Sequence, residues 1–249
     1  MRTVLFVKIM AVYALVFTFT GCTFKSFSKA SDPVTKDTAV VTQLRESPEW
    51  VADMPEAENA DQLFVVANYE GTTAWVSMHE KDADGKWQMI MTTPGYIGKN
   101  GLGKTREGDG MTPQGVFTFD KAFGIAEDPG CSMNYIQVDE NDYWSGDEAS
   151  GMHYNEMVDI NDYPDLDVAD SRHIADYIRE YRYCLNIDYN KEGEAGKGSA
   201  IFLHCLGARK PYTGGSIAIP ENQMKFVMQH VKYGCVVVID SVSNLGASF

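Results

Sequence analysis

From residue 63 onward, apolar and polar residues alternate more often than they recur at helical spacing. "LFVVANY" (63–69), "TAWVSMHE" (73–80) and "KWQMIMTT" (86–93) read as β-strands. Between the last two, "KDADG" (81–85) has Asp-Gly at its tip and predicts a hairpin turn. It does not read as a calcium loop, because its Gly comes too early and no Glu closes it. Further short strands are expected at "GVFTF" (115–119), "NYIQVD" (134–139), "YCLNIDY" (183–189), "SAIFLHC" (199–205) and "CVVVID" (235–240), separated by Gly, Asn and Asp clusters. Two stretches have helical spacing. "DSRHIADYIREY" (170–181) sets Ile174, Tyr177, Ile178 and Tyr181 on one stripe, and "PENQMKFVMQHV" (220–231) does the same with Met224, Val227, Met228 and Val231 behind a Pro start. No internal repeat is visible. The pattern predicts one mainly-β domain, a sandwich or mixed sheet carrying two short helices.

The ends change the picture. "MRTVLFVKIMAVYALVFTFTGC" places Arg2 and Lys8 before an apolar run from Ile9 to Phe19 and small residues ending in Cys22, the layout of an export signal. The run is short for a membrane span, which takes about 20 residues. Phe19-Thr20-Gly21-Cys22 resembles a bacterial lipobox, in which the Cys receives diacylglycerol, although Phe19 stands where Leu is usual. A plain secretory signal and an uncleaved anchor are the alternatives. All three place the protein outside the cytoplasmic membrane. Residues 23–60 read as a polar tether, and 61–249 as the domain.

The formal net charge is −14, and loss of Arg2 and Lys8 with the leader makes it −16. Nucleic acid and electrostatic attachment to an acidic bilayer are therefore not expected. Beyond Cys22, the four cysteines 131, 184, 205 and 235 permit disulfides without requiring them. The histidines at 79, 153, 173, 204 and 230 are scattered without ligand spacing, so neither zinc nor another metal is expected.

Gly98 to Thr105 fits the phosphate-loop pattern G-x-x-x-x-G-K-[ST]. That motif needs a helix opening at its Lys-Thr. Here "REGDGMTPQG" follows, and Gly108, Gly110, Pro113 and Gly115 forbid one. No nucleotide site is expected; the stretch reads as a long connection between strands.

The densest chemistry lies in "GKGSAIFLHCLGARKPYTGGSIAIPENQM" (196–224). An apolar strand delivers His204 at its end, and Ser216 follows a Gly pair. Gly214 and Gly215 allow a tight turn that aims Ser216 and nearby N–H groups into one pocket, as acyl transfer requires. A lone His at a strand end is more often structural.

This run, with "GDGMTPQGVFTF", Phe123-Gly124, and the Tyr-Asn pairs at 154–155 and 189–190, resembles the catalytic domain of the L,D-transpeptidase (YkuD-type) family of bacterial cell-wall enzymes over roughly residues 63–240. The resemblance implies a cofactor-free attack on a peptidoglycan stem peptide after its third, diaminoacid residue. Terminal D-alanine leaves, and the acyl-enzyme passes to an amine or to water. His204 falls on the family's general base, the Cys205 carbonyl on the group orienting it, and backbone N–H groups around Gly215 and Ser216 on the oxyanion hole. The family's loop reads S-H-G-C or T-A-G-C; here it is Thr213-Gly214-Gly215-Ser216. Ser therefore stands where a thiol is usual, and a Ser hydroxyl depends wholly on His204 for deprotonation. Three readings stay open: Ser216 as nucleophile, a groove that binds stem peptides without turnover, and a nucleophile moved to Cys205, which strand alternation turns away from His204's face. Arg106 and Lys104 are candidates to meet a stem carboxylate. Tyr154 and Asn155 are expected to line the groove with Thr213 and Gly214, the alternative being that the Tyr-Asn pair simply closes a turn. His153 is expected at the surface, and Arg209 and Lys210 on a flap.

Overall fold

The computed structural model describes residues 45–208 and 210–248. The leader, Cys22, the polar segment through residue 44 and Arg209 lie outside the described residues.

The strands, in chain order, are β1 (Arg45–Glu46), β2 (Gln62–Glu70), β3 (Thr73–Lys81), β4 (Trp87–Tyr96), β5 (Gly115–Gly124), β6 (Tyr135–Gln137), β7 (Asp142–Trp144), β8 (Met157–Asp159), β9 (Arg172–His173), β10 (Cys184–Ile187), β11 (Phe202–Cys205), β12 (Ile217–Ile219) and β13 (Val236–Ser241). The large sheet runs β1-β4-β12-β11-β10-β5-β13-β2-β3, with β6 beside β5. Because β3 also pairs with β4, the order closes on itself through eight strands. Pairings β11–β12, β13–β2 and β5–β6 are parallel, so the sheet is mixed. A second sheet, β8-β7-β9, forms a small lobe. The expected mainly-β mixed sheet is thus observed.

The expected hairpin forms: Asp82 Oδ1 accepts the N–H groups of Asp84 and Lys86, closing the turn between β3 and β4. Strand β2 is buried on both faces because two cores meet there. Phe64 and Val66 point into the main core, while Leu63 and Val65 pack under Val51, Met54, Ala57 and Ala60. Val51 belongs to helix α1 (Glu49–Ala52), Met54 caps and Ala57 ends a 3₁₀ turn (Pro55–Ala57), and Ala60 lies two residues before β2. Residues 45–60 are therefore not tether, and the folded unit reaches back at least to Arg45.

Helix α2 (Glu221–His230) follows Pro220 and buries Met224, Val227 and Met228, as expected. The helix expected over 170–181 does not form. Arg172 and His173 are taken as β9, pairing with Trp144 and Tyr143 of β7, and 3₁₀ turns at Ile174–Asp176 and Glu180–Arg182 follow. Pairing with β7 draws the start of the stretch into extended backbone and so takes the first turn from the expected helix. Ile174 and Tyr181 are buried while Ile178 is 66% exposed, so the expected stripe is split.

Candidate active site

Alternation along β11 decides what each residue there can do. Leu203 and Cys205 enter the main core, whereas Phe202 and His204 face the lobe. Phe202 packs on Phe123, Trp144 and Tyr181 at ring-centroid distances of 5.2, 4.7 and 5.5 Å. His204 meets the Tyr181 ring edge-on at 5.5 Å. Its Nδ1 lies 2.8 Å from the Cys205 carbonyl. A carbonyl only accepts, so Nδ1 carries the proton and Nε2 keeps its lone pair. Burial pushes the His204 pKa below its ordinary value, against the opposing pull of the Cys205 carbonyl and Glu180. The ring is thus neutral, with Nε2 as its acceptor.

Cys205 contributes its carbonyl alone. Its S–H donates to the Tyr183 carbonyl at 3.8 Å, and burial pushes its pKa up to about 12. A thiol held that way in the core is no nucleophile.

Ser216 is delivered by a turn. Thr213 Oγ1 accepts from the Gly215 N–H at 3.0 Å and donates to the Ser216 carbonyl at 2.5 Å. Gly215 has φ +150, and a Cβ there would lie 2.8 Å from the Met111 carbonyl oxygen, so only Gly fits. A Cβ at Gly214 would meet nothing within 4 Å. Thr112 fastens the turn to the Gly-rich connection: its Oγ1 donates to the Gly215 carbonyl at 2.7 Å and accepts from the Gly98 N–H at 2.8 Å.

The Ser216 hydroxyl itself is engaged. The Phe202 N–H donates to Oγ, and Oγ donates to the Ala200 carbonyl, both at 3.1 Å. Its proton therefore points at Ala200 rather than at His204. Likewise, the Gly215 N–H expected in an oxyanion hole is turned inward to Thr213.

Lys104 and Asp109 organise the connection that mimics a phosphate loop. They form a 3.2 Å ion pair, and Asp109 also accepts from the N–H groups of Thr105, Arg106 and Met111. Burial alone would raise the Asp109 pKa, yet those donors hold it at about 2. Lys104 is committed there and has no charge to spare for a ligand. Arg106 is exposed and does not line the cleft.

Tyr154 and Asn155 are also corrected, because both work behind the cleft. The Tyr154 hydroxyl donates to Glu107 Oε2 at 2.8 Å and accepts from the Gly198 N–H. Asn155, at φ +65, accepts from Trp144 Nε1 and the Ala200 N–H, and donates to the carbonyls of Tyr189 and Asn190. Its Oδ1 holds Ala200, which sits at φ +54 with its carbonyl on Ser216, while its amide N–H groups hold the Tyr189–Asn190 main chain. His153 is exposed and bonds Glu156 and Tyr163, away from the cleft.

The cleft encloses about 570 Å³. One wall is Ser199–Ile201, His204, Thr213, Gly214 and Ser216; the other is Arg172, Tyr177, Glu180 and Tyr181 of the lobe, with Lys99, Lys210 and Tyr212 also lining it. The lobe residues were not anticipated as site residues, since their apolar members read as the core stripe of a helix.

A mixed sheet thus brings a neutral His and a turn-borne Ser to one cleft. The model of the L,D-transpeptidase catalytic domain family (YkuD) matches residues 62–239, and the chain belongs to that family. Among solved structures, it is similar to the helical cell shape determining protein Pgp2 of Campylobacter jejuni, at 18% identity over 73% of this chain and 48% of that one, with a TM-score of 0.39. It is also similar to a Cys-to-Ser mutant of the Enterococcus faecium L,D-transpeptidase, at 17% identity over 73% and 50%, with a TM-score of 0.33. This chain spans about half the length of those proteins. No curated protein matches it.

Proposed function

We propose that this protein is exported, lipid-anchored at Cys22, and acts by acyl transfer on peptidoglycan stem peptides through Ser216. The observation that carries the reading is a neutral His204, its Nδ1–H fixed on the Cys205 carbonyl and its Nε2 lone pair unspent, in the same cleft as Ser216. In this reaction Ser216 Oγ attacks the carbonyl after the third stem residue while His204 Nε2 takes its proton. The imidazolium then returns that proton to the departing amine of D-alanine. An amine of a second stem, or water, releases the acyl group. Before attack, the hydroxyl leaves the Ala200 carbonyl, at a cost of about 1 kcal/mol for one hydrogen bond.

The test is intact mass spectrometry of the chain incubated with a tetrapeptide-stem muropeptide. An acyl adduct, or loss of terminal D-alanine, is expected in the wild type and not in Ser216→Ala or His204→Ala. Turnover that survives Ser216→Ala removes the serine assignment. The double tether of Oγ to β11 and its leading residues favours a second reading, a groove that binds stem peptides without cleaving them. Binding with no product in any variant selects that reading.

A further inference from the structure

Among the described residues, Arg172 is the one cation of the cleft whose surroundings fit a planar anion. Lys104 is paired with Asp109. The stem of Lys99 lies against Gly110, where a Cβ would meet its Cε at 2.5 Å. Lys210 rests over the Tyr212 ring at 5.9 Å. Arg172 is held from below instead: its guanidinium lies over the Tyr177 ring at 5.2 Å, and Nη1 donates to the Tyr177 hydroxyl at 2.6 Å. Tyr177 in turn stacks on Tyr181, which contacts His204. The guanidinium is thus aligned by a chain of rings that ends on the candidate base.

A guanidinium carries five N–H donors. The bond to Tyr177 uses one of them, and among the described residues no carboxylate lies within ion-pair distance of Arg172. Arg172 is exposed, so its remaining N–H groups meet water in the open cleft and are free to turn to a ligand. Glu107 and Glu180 share the cleft with it, but Glu107 is turned to the Tyr154 hydroxyl and to the Gly108 N–H. Arg172 also borders an adjoining cavity of about 470 Å³, lined by Asp147, Glu148 and Asp170. Asp147 there is spent on the N–H groups of Ala149 and Asp167. The guanidinium stands at the saddle between the two cavities, beside Ser199 and Ala200.

We propose that Arg172, preset on Tyr177, binds a ligand carboxylate in two-pronged fashion and so sets which end of a peptide enters the cleft. On the stem-peptide reading above, on which this rests, the carboxylate is that of the terminal D-alanine. Arg106, the arginine singled out from sequence, lies outside the cleft and cannot do this.

The test is titration calorimetry of the full chain with a tetrapeptide stem ending in a free carboxylate and with its C-terminal amide. Wild type is expected to favour the acid by roughly ten- to hundredfold, the span for a hydrogen-bonded charge. Arg172→Gln should bind both alike, and Arg172→Lys, which keeps the charge but not the fork, should recover a minor part of the preference. An acid preference unchanged in Arg172→Gln overturns the assignment while leaving the stem-peptide reading intact. If wild type binds neither peptide, the stem-peptide reading fails, and Arg172 is judged separately from its side-chain Nε–H resonance. N-acetyl-D-alanine should move that resonance saturably and its amide should not. No shift with the acid overturns the proposal.

Discussion

Replacing Ser216 with Ala separates a hydroxyl that holds the fold from one that waits to react. The substitution strips the Phe202 N–H and the Ala200 carbonyl of their shared partner. Phe202 is fully buried, so its N–H is left unsatisfied, at about 1–3 kcal/mol. The Ala200 carbonyl borders the cleft, where water can replace Oγ, and adds little. For a folded unit of about 200 residues each kcal/mol moves Tm by about 2–4 °C, so Ser216→Ala should melt roughly 2–12 °C below wild type. Differential scanning calorimetry at pH 7 reads this directly. Ser216→Cys should fall between the two, because sulfur accepts hydrogen bonds weakly. A poised nucleophile behaves in the opposite way, since active-site groups are commonly held at the expense of stability. An Ala variant that melts at or above the wild-type temperature would refute the tether and leave Oγ free for His204.

Two further outcomes are expected. His79 is fully buried between the hydroxyls of Ser47 and Ser77, and burial lowers its pKa to about 4. The unfolded chain binds a proton near pH 6.5 that the folded one refuses. Stability is therefore full above about pH 6.5 and is lost as pH falls toward 4, by about 3 kcal/mol, with His204 acting in the same direction. Urea midpoints at pH 7 and pH 4.5 should show the loss, and His79→Gln should flatten it; a wild-type midpoint that does not move contradicts the burial argument. Cys22→Ala should release the protein from membranes into the soluble fraction, and retention on membranes would defeat the lipid anchor.

The strands with clean alternation were legible because each buries one or both faces in a core that its own sequence announces: β2 to β4, their Asp-Gly hairpin and β13 lie where the pattern put them. His204 and Ser216 were legible too, since each sits where an apolar strand or a Gly turn delivers it. What escaped depended on partners distant in sequence. Nothing between residues 170 and 181 reveals that Trp144 and Tyr143 will take Arg172 and His173 as a strand, and with that strand go Arg172, Tyr177 and Tyr181 of the cleft. The Tyr-Asn pairs were visible, but not their purpose. Asn155 and Asn190 both adopt left-handed backbone, and what they hold is main chain, not ligand. Lys104 was caught in a false motif because its partner, Asp109, acts through loop geometry that no pattern encodes.

The closed strand order has a consequence for how the chain reaches this state. Strand β2 finds its parallel partner in β13, some 170 residues later, and β4 meets β12 about 120 residues on. Until the last strand arrives, the hairpins of β2 to β4 present an open edge and an uncovered apolar face. High contact order of this kind makes folding slow and leaves intermediates prone to aggregate. A chain that has emerged only as far as residue 234 lacks β13 and cannot close. Ring closure is therefore a late and all-or-none event, and loss of β13 would forfeit the cleft although every described residue of the cleft lies upstream of it.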